Sequence, residues 1–480
     1  MNRYIFLLLL FLSGTFAGGW SQNLRQADCA AFFSGKGMRH ASVGVCVMDV
    51  ATGKLLVAYN ENRAFTSASL TKIITAATVL QLYPDTARWY TRVGYTGHID
   101  DSGVLHGDVV IRGCIDPSLA NERGERSPEA FLDTVEAAIG RAGICAIEGD
   151  IVADASLCGV ETSSQWLAED LGWYYGAGCY GINYKGNRYD LYLRTGAAGT
   201  QPHILGTSTT VAPVAYRNHL VVGQKDSSFV SVVPYSGQCI LSGVVPPHRE
   251  RFVLPCSMTD PSLTLACEVM QRLQAAHIPV AGRAVTDRLL YEAQEPLPAA
   301  LSVLCEYPSD ELLPMVETML HHSDNLYAEA LLRYVALSQA DEASVSTALA
   351  IERALWEGEG HDTDAMLLYD GSGLARKNMV TPYFLASLLS RAYHMPRLGA
   401  AFVSAFPEAG HEGTVKSFMA REKLPGTLRL KSGSMGGVLC YAGYYTEAGR
   451  TYAVVMMCNH HTCRNAQLRG RYEQLLRAIF

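Results

Sequence analysis

Apolar positions recur in this chain with two different periods, and the switches between them lay out its elements. Val43, Val45 and Val47 alternate, 49–54 is rich in turn residues, and Leu55-Leu-Val-Ala58 resumes, which predicts two strands joined by a turn. From Leu70 the period becomes helical, with Ile73, Ala76, Ala77 and Leu80 on one face. Two more helices are predicted over 311–320 and 326–335, joined at His321-His-Ser-Asp-Asn325. Alternation returns at 427–432, 438–445 and 452–458, a meander of three strands. Tyr472, Leu475, Leu476 and Ile479 then form a helical stripe suited to packing on that sheet. Between these outer parts lie short strands such as 106–113, 149–154 and 189–194, Gly- and Pro-rich turns from 201 to 255, and a helical stretch at 264–273. The pattern predicts an α/β chain of the α+β kind: an antiparallel sheet flanked by helices, built from 20–91 and 300–480. A large β-rich insertion at 92–299 interrupts it, with a possible nested subdomain near 187–256.

Composition narrows the function classes. The chain has 480 residues, long enough for about three domains, and 49% of them are hydrophobic, enough to build cores. A formal charge of −7 with no Lys/Arg-rich run argues against nucleic acid as a partner. Arg3 precedes an apolar run at 4–12 that is short for a bilayer span, and Ala17-Gly-Gly19 offers small residues for cleavage. Residues 1–19 therefore read as a signal peptide, with a periplasmic protein lacking an integral membrane segment after cleavage. The thirteen cysteines sit largely in apolar stretches, as at Cys46, Cys267 and Cys458, where cysteine acts as a small hydrophobe. Cys458-Asn-His-His-Thr-Cys463 has metal-ligating residue types but no second ligand pair, so a disulfide or plain packing is the preferred reading; no metal or cofactor is expected.

Three separated motifs carry the chemistry: Ser69-Leu-Thr-Lys72, Ser323-Asp-Asn325 and Lys431-Ser-Gly433. Ser69 opens a helix, and Lys72, three residues on, lies on the same side of the first turn. A serine hydroxyl is a poor nucleophile until a base takes its proton, and a desolvated lysine can be that base. Ser323 on a turn can relay a proton to a leaving group, while the Asn325 amide can accept from Lys72 and donate to substrate; an N-cap is the alternative role for this turn. Lys431 on a strand can hold a substrate carboxylate, Ser432 adds a hydroxyl, and Gly433 admits a close backbone. His321 and His322 are read as loop residues rather than bases, since Lys72 fills that role. No Gly-x-Ser-x-Gly elbow occurs, which leaves a Ser-His-Asp hydrolase without its motif.

This combination resembles the penicillin-binding proteins and class A β-lactamases, with Lys-Ser-Gly in place of the commoner Lys-Thr-Gly. The domain-sized interval between Ser69 and Ser323, with 107–113, 116–119, 174–178, 181–183, 370–374 and 410–414, resembles one branch: the class C low-molecular-mass penicillin-binding proteins of the D-Ala-D-Ala carboxypeptidase/endopeptidase (peptidase S13) family. The resemblance implies a β-lactamase/transpeptidase-like catalytic domain. It also implies a serine acyl-enzyme, peptidoglycan peptides as substrates, β-lactams as covalent inhibitors, and an oxyanion hole from the backbone N–H groups of Ser69 and Ser434. It further places Asp154 and Met435 where the family holds the amine-bearing side chain of the peptide's third residue; Asp154 also suits a turn at a strand end, and Met435 also suits packing. The alternatives are a serine β-lactamase and a catalytically idle cell-wall-binding protein. Class A β-lactamases activate the deacylating water with a Glu, in a Glu-x-x-x-Asn stretch between the second and third motifs. Here Asn378 is the only asparagine between Asn325 and Lys431, and Leu374 stands four residues before it. A peptidase is the expected reading.

Overall fold

The central sheet joins the two ends of the chain. In the computed structural model, which describes residues 26–158 and 162–480, its strands run in the order Leu55–Tyr59, Ser42–Asp49, Arg450–Asn459, Val438–Glu447, Thr427–Met435, every neighbour antiparallel. Period-two alternation sends Val43, Val45, Val47, Val454 and Met456 to one face and Cys46, Met48, Val455 and Met457 to the other. The first face is covered by the C-terminal helix Asn465–Ile479, where Tyr472, Leu475, Leu476 and Ile479 are buried as the stripe predicts. The second packs on helix Pro382–His394, and helices Thr71–Leu82 and Asn325–Leu337 continue the same core behind it. Thr427–Met435 is the edge strand of this sheet; the 407–409 segment pairs with its outer side at Leu428 and Leu430, short of the Lys431–Met435 end.

The inserted part is less purely β than its sequence predicts. Its main sheet, ordered Ala284–Thr286, Ile151–Asp154, Val109–Arg112, Tyr90–Tyr95, Ser302–Pro308, is parallel through its first three strands. Helices Ala130–Arg141 and Pro261–Ala275 cover one face, burying Phe131, Val135, Leu265 and Val269. Ser302–Pro308 pairs with Tyr90–Tyr95, so this sheet reaches across both boundaries assigned from sequence at 92 and 299. The reason is that a strand alone does not declare which sheet it joins; long-range pairing decides that. A separate core around Tyr189, Leu191, Val230, Leu241 and Leu254 holds a small all-strand unit at roughly the place of the nested subdomain. The signal peptide expected at 1–19 lies outside the described residues, among which no helix is long and apolar enough to cross a membrane.

Candidate active site

Ser69 sits in a short 3-10 turn, Ala68–Leu70, that runs directly into helix Thr71–Leu82. Lys72 lies in the first turn of that helix and is fully buried. Its Nζ is 3.1 Å from Ser69 Oγ, 2.7 Å from Asn325 Oδ1 and 2.5 Å from the Ser372 carbonyl oxygen. Two of those three partners only accept. A neutral amine has two N–H groups and one lone pair, so donating to the two carbonyl-type oxygens leaves the lone pair facing the serine hydroxyl. Burial pushes the Lys72 ammonium down to about 8, against the opposing pull of Asp370, Glu329 and Asp324, so a usable fraction is neutral near physiological pH.

Ser323 ends helix Leu312–His322 in the left-handed conformation, φ 56°, and Asp324 caps the next helix by accepting from Tyr327 N. That sharp turn presents Ser323 Oγ to Lys431 Nζ at 2.8 Å. Lys431 also donates to the Ser432 carbonyl at 2.7 Å, and burial, then the neighbouring Lys72 charge, holds its ammonium well below the ordinary lysine range. A carboxylate arriving there restores the charged form. Ser432 Oγ donates to Thr414 Oγ1 at 2.7 Å, which sets two hydroxyls side by side at the edge strand. Gly433 answers a packing need: a Cβ would stand 2.9 Å from the Ser67 carbonyl oxygen and 3.2 Å from Ser69 N, so only glycine lets the strand lie this close to the nucleophile turn. Asn325 is fixed at its other end, its Nδ2 donating to the Tyr175 carbonyl at 2.7 Å.

Ser69, Ser323, Asn325, Thr414, Ser432, Ser434 and Met435 line a cleft of about 660 Å³, and the buried Lys72 and Lys431 stand behind it, bonded to Ser69 and Ser323. Asp154 does not line it. That side chain is 2% exposed inside the inserted sheet; its Oδ2 accepts from Arg112 Nε at 2.7 Å and its Oδ1 from Ser156 N and Oγ, which is the turn-forming role. The cleft carboxylate missed from sequence is Asp170, bonded by Tyr175 OH at 3.2 Å and facing the same space as Met435. It lies in an irregular segment with no period to mark it, close in sequence to the 174–178 stretch that carries part of the resemblance. Burial raises its carboxyl, the Tyr175 bond and Arg376 pulling the other way. His321 and His322 occupy the last turn of their helix, and burial lowers both imidazoles. Cys458 and Cys463 are both thiols; Cys463 Sγ packs against Met38 Sδ at 3.6 Å.

Comparison with known proteins gives a family and a fold. The D-Ala-D-Ala carboxypeptidase 3 (S13) family matches residues 26–478. The chain is similar to a D-alanyl-D-alanine carboxypeptidase of Actinomadura sp. (strain R39), 25% identical over 450 residues, covering 91% of this chain and 81% of that one. It is also similar to the D-alanyl-D-alanine carboxypeptidase DacB of Haemophilus influenzae, 24% identical over 434 residues, covering 88% and 86%. In fold it matches the crystal structure of penicillin binding protein 4 from Haemophilus influenzae with a TM-score of 0.81, 21% identity, and 94% and 98% of the two chains covered.

Proposed function

The chain belongs to the D-Ala-D-Ala carboxypeptidase 3 (S13) family, a family of serine-type carboxypeptidases, and we propose that it removes terminal D-Ala from peptidoglycan peptides, and opens their crosslinks, through an acyl-enzyme on Ser69. The observation that carries this reading is the Lys72 amine, held by two carbonyl oxygens with its third contact on the serine hydroxyl. In that reaction Lys72 takes the Ser69 proton as Oγ bonds to the penultimate D-Ala carbonyl carbon. The backbone N–H groups of Ser69 and Ser434 receive the oxyanion. Ser323 gives its proton to the leaving amine as the C–N bond breaks and takes one from the Lys431 ammonium that donates to it. Water then attacks the ester carbonyl, its proton returning through Ser323 to Lys431, and Ser69 leaves with the proton held by Lys72. Lys431, Ser432 and Thr414 take the terminal carboxylate, and the peptide extends along the 432–435 end of the edge strand, beyond the part that 407–409 pairs with. The substrate lies outside the cytoplasmic membrane, which agrees with an exported, periplasmic enzyme.

A penicillin acylates the same serine but should leave it slowly. Among the described residues the cleft carboxylates are Asp170 and Asp324, the latter engaged by Arg123 and as a helix cap. Asn378 is buried, bonding Asp370 Oδ1 and Tyr369 N, and is no part of a water-activating pair. Pulse labelling with a fluorescent penicillin followed by a chase should give a stoichiometric adduct on Ser69 that outlasts many peptide turnovers. Rapid multiple-turnover hydrolysis would establish the β-lactamase reading instead.

Asp170 replaces Asp154 as the carboxylate for an amine on the peptide's third residue. Asp170→Asn should lose one charge-assisted contact, about ten- to a hundredfold in kcat/KM on amine-bearing substrates. Acetylating that amine should erase the difference. Equal losses on both substrates would leave Asp170 with a structural role only.

A further inference from the structure

Behind Lys72 lies a buried bracket. Glu329, 2% exposed, projects from helix Asn325–Leu337 one turn beyond Asn325, and its Oε1 accepts from Gly371 N at 3.1 Å and Ser372 N at 3.0 Å. The carbonyls of the same two residues point the other way: Ser372 O accepts from Lys72 Nζ at 2.5 Å, and Gly371 O from Thr75 Oγ1 at 2.9 Å. The segment has no slack. A Cβ at Gly371 would stand 2.7 Å from the Ala328 carbonyl oxygen, and one at Gly373, φ +80°, 1.8 Å from the carbonyl oxygen of Ala68, beside the nucleophile. Asp370 closes the loop by accepting from Gly373 N, Ala375 N, Asn378 Nδ2 and Trp166 Nε1. Arg333, fully buried, donates to the Glu329 carbonyl at 3.0 Å and contacts its Oε2 at 3.4 Å.

We infer that Glu329 is a positioning residue for acyl transfer: by gripping the Gly371 and Ser372 amides it fixes the carbonyl that turns the Lys72 lone pair toward Ser69. This rests on the acyl-enzyme reading and adds a residue to it. Glu329 touches neither nucleophile nor substrate, and acts through the Gly371–Ser372 backbone: the amides it holds flank the Ser372 Cα whose carbonyl meets Lys72, while the N–H of that carbonyl's own peptide, Gly373 N, is held by Asp370. Its charge has a second consequence. Lys72 faces Asp324 and Glu329 from the Asn325 helix and its cap, Asp370 from the loop, and Lys431 from the edge strand. Glu329 itself faces Asp370 and Arg333, and Arg333 faces Cys158 and Cys179. Burial, then Asp370, raises the Glu329 carboxyl to about 7, so its charge is present where Lys72 titrates near 8 and fades below. Removing it removes one of the groups that favour protonated Lys72, so above about pH 7 the neutral base persists to lower pH.

The test is the second-order rate constant and the limiting rate of penicillin acylation, from pH 5 to 10, for wild type, Glu329→Gln and Glu329→Ala. The glutamine variant keeps an oxygen for both amides and loses the charge; its acid limb should move to lower pH by about one unit. The alanine variant loses the grip, and its limiting rate should fall about a hundredfold with the dissociation constant of the initial complex little changed. Should the alanine variant fail to fold, the glutamine profile alone decides. An unmoved profile in Glu329→Gln, or a lowered melting temperature with wild-type limiting rate in both variants, overturns the inference while wild-type labelling at Ser69 leaves the acyl-enzyme standing. Absence of Ser69 labelling in wild type overturns both.

Discussion

Ser69→Ala is expected to abolish both release of D-Ala and covalent capture of penicillin, with kcat down by about 10⁴- to 10⁶-fold. The loss is that large because acyl transfer has one nucleophile, and among the described residues Ser69 is the hydroxyl bonded to Lys72. Some rate over water should remain, since the backbone donors and the Lys431 end of the cleft stay intact. The melting temperature should be almost unchanged: the side chain is half-buried and its one hydrogen bond is to the base. Mass spectrometry of the penicillin-treated variant checks the adduct, and labelling that survives at another residue would move the nucleophile elsewhere.

Replacing Lys72 should cost about 10²- to 10⁴-fold in acylation, the usual range for a positioned general base. Two replacements separate its possible roles. Lys72→Ala removes base and charge together, whereas Lys72→Arg keeps a cation that does not lose its proton in the working pH range. If proton abstraction is the role, both variants are inactive alike. An arginine variant close to wild type would mean that a positive charge alone suffices. In wild type, the depressed ammonium fixes the direction of the pH dependence: the neutral amine forms as pH rises through about 8, so acylation climbs across that range and drops about tenfold for each unit below it. A fall in rate between pH 6 and 8 would contradict the assignment.

What could be read from the sequence followed the range of the interactions. Ser69 and Lys72 share one helical turn, and Ser323, Asn325, Lys431 and Gly433 each sit in a short motif, so spacing and residue type were enough to nominate them. The meander at 427–459 and the C-terminal stripe were visible because alternation and the helical period are local. Asp154 shows the opposite case. An aspartate ending a strand has the same local signature whether it faces a ligand or caps a turn, and only the Arg112 and Ser156 contacts distinguish the two. Asp170 was invisible because its segment has no period, and Glu329 because it lies on the buried face of a helix, where its partners Gly371 and Ser372 come from a distant loop. The neck of the insertion was misplaced for a related reason: Ser302–Pro308 is a legible strand, but its pairing with Tyr90–Tyr95 is not local information.

The central claim is that this cleft hydrolyses D-Ala-D-Ala peptides at Ser69. Purified muropeptides carrying pentapeptide stems and crosslinked dimers, digested with wild type and with Ser69→Ala and followed by mass, test it directly. Wild type is predicted to strip the terminal D-Ala and to convert dimers to monomers, with neither change in the variant and both blocked by prior penicillin. Undigested stems in the presence of active, penicillin-hydrolysing enzyme, or trimming that continues in Ser69→Ala, would contradict it.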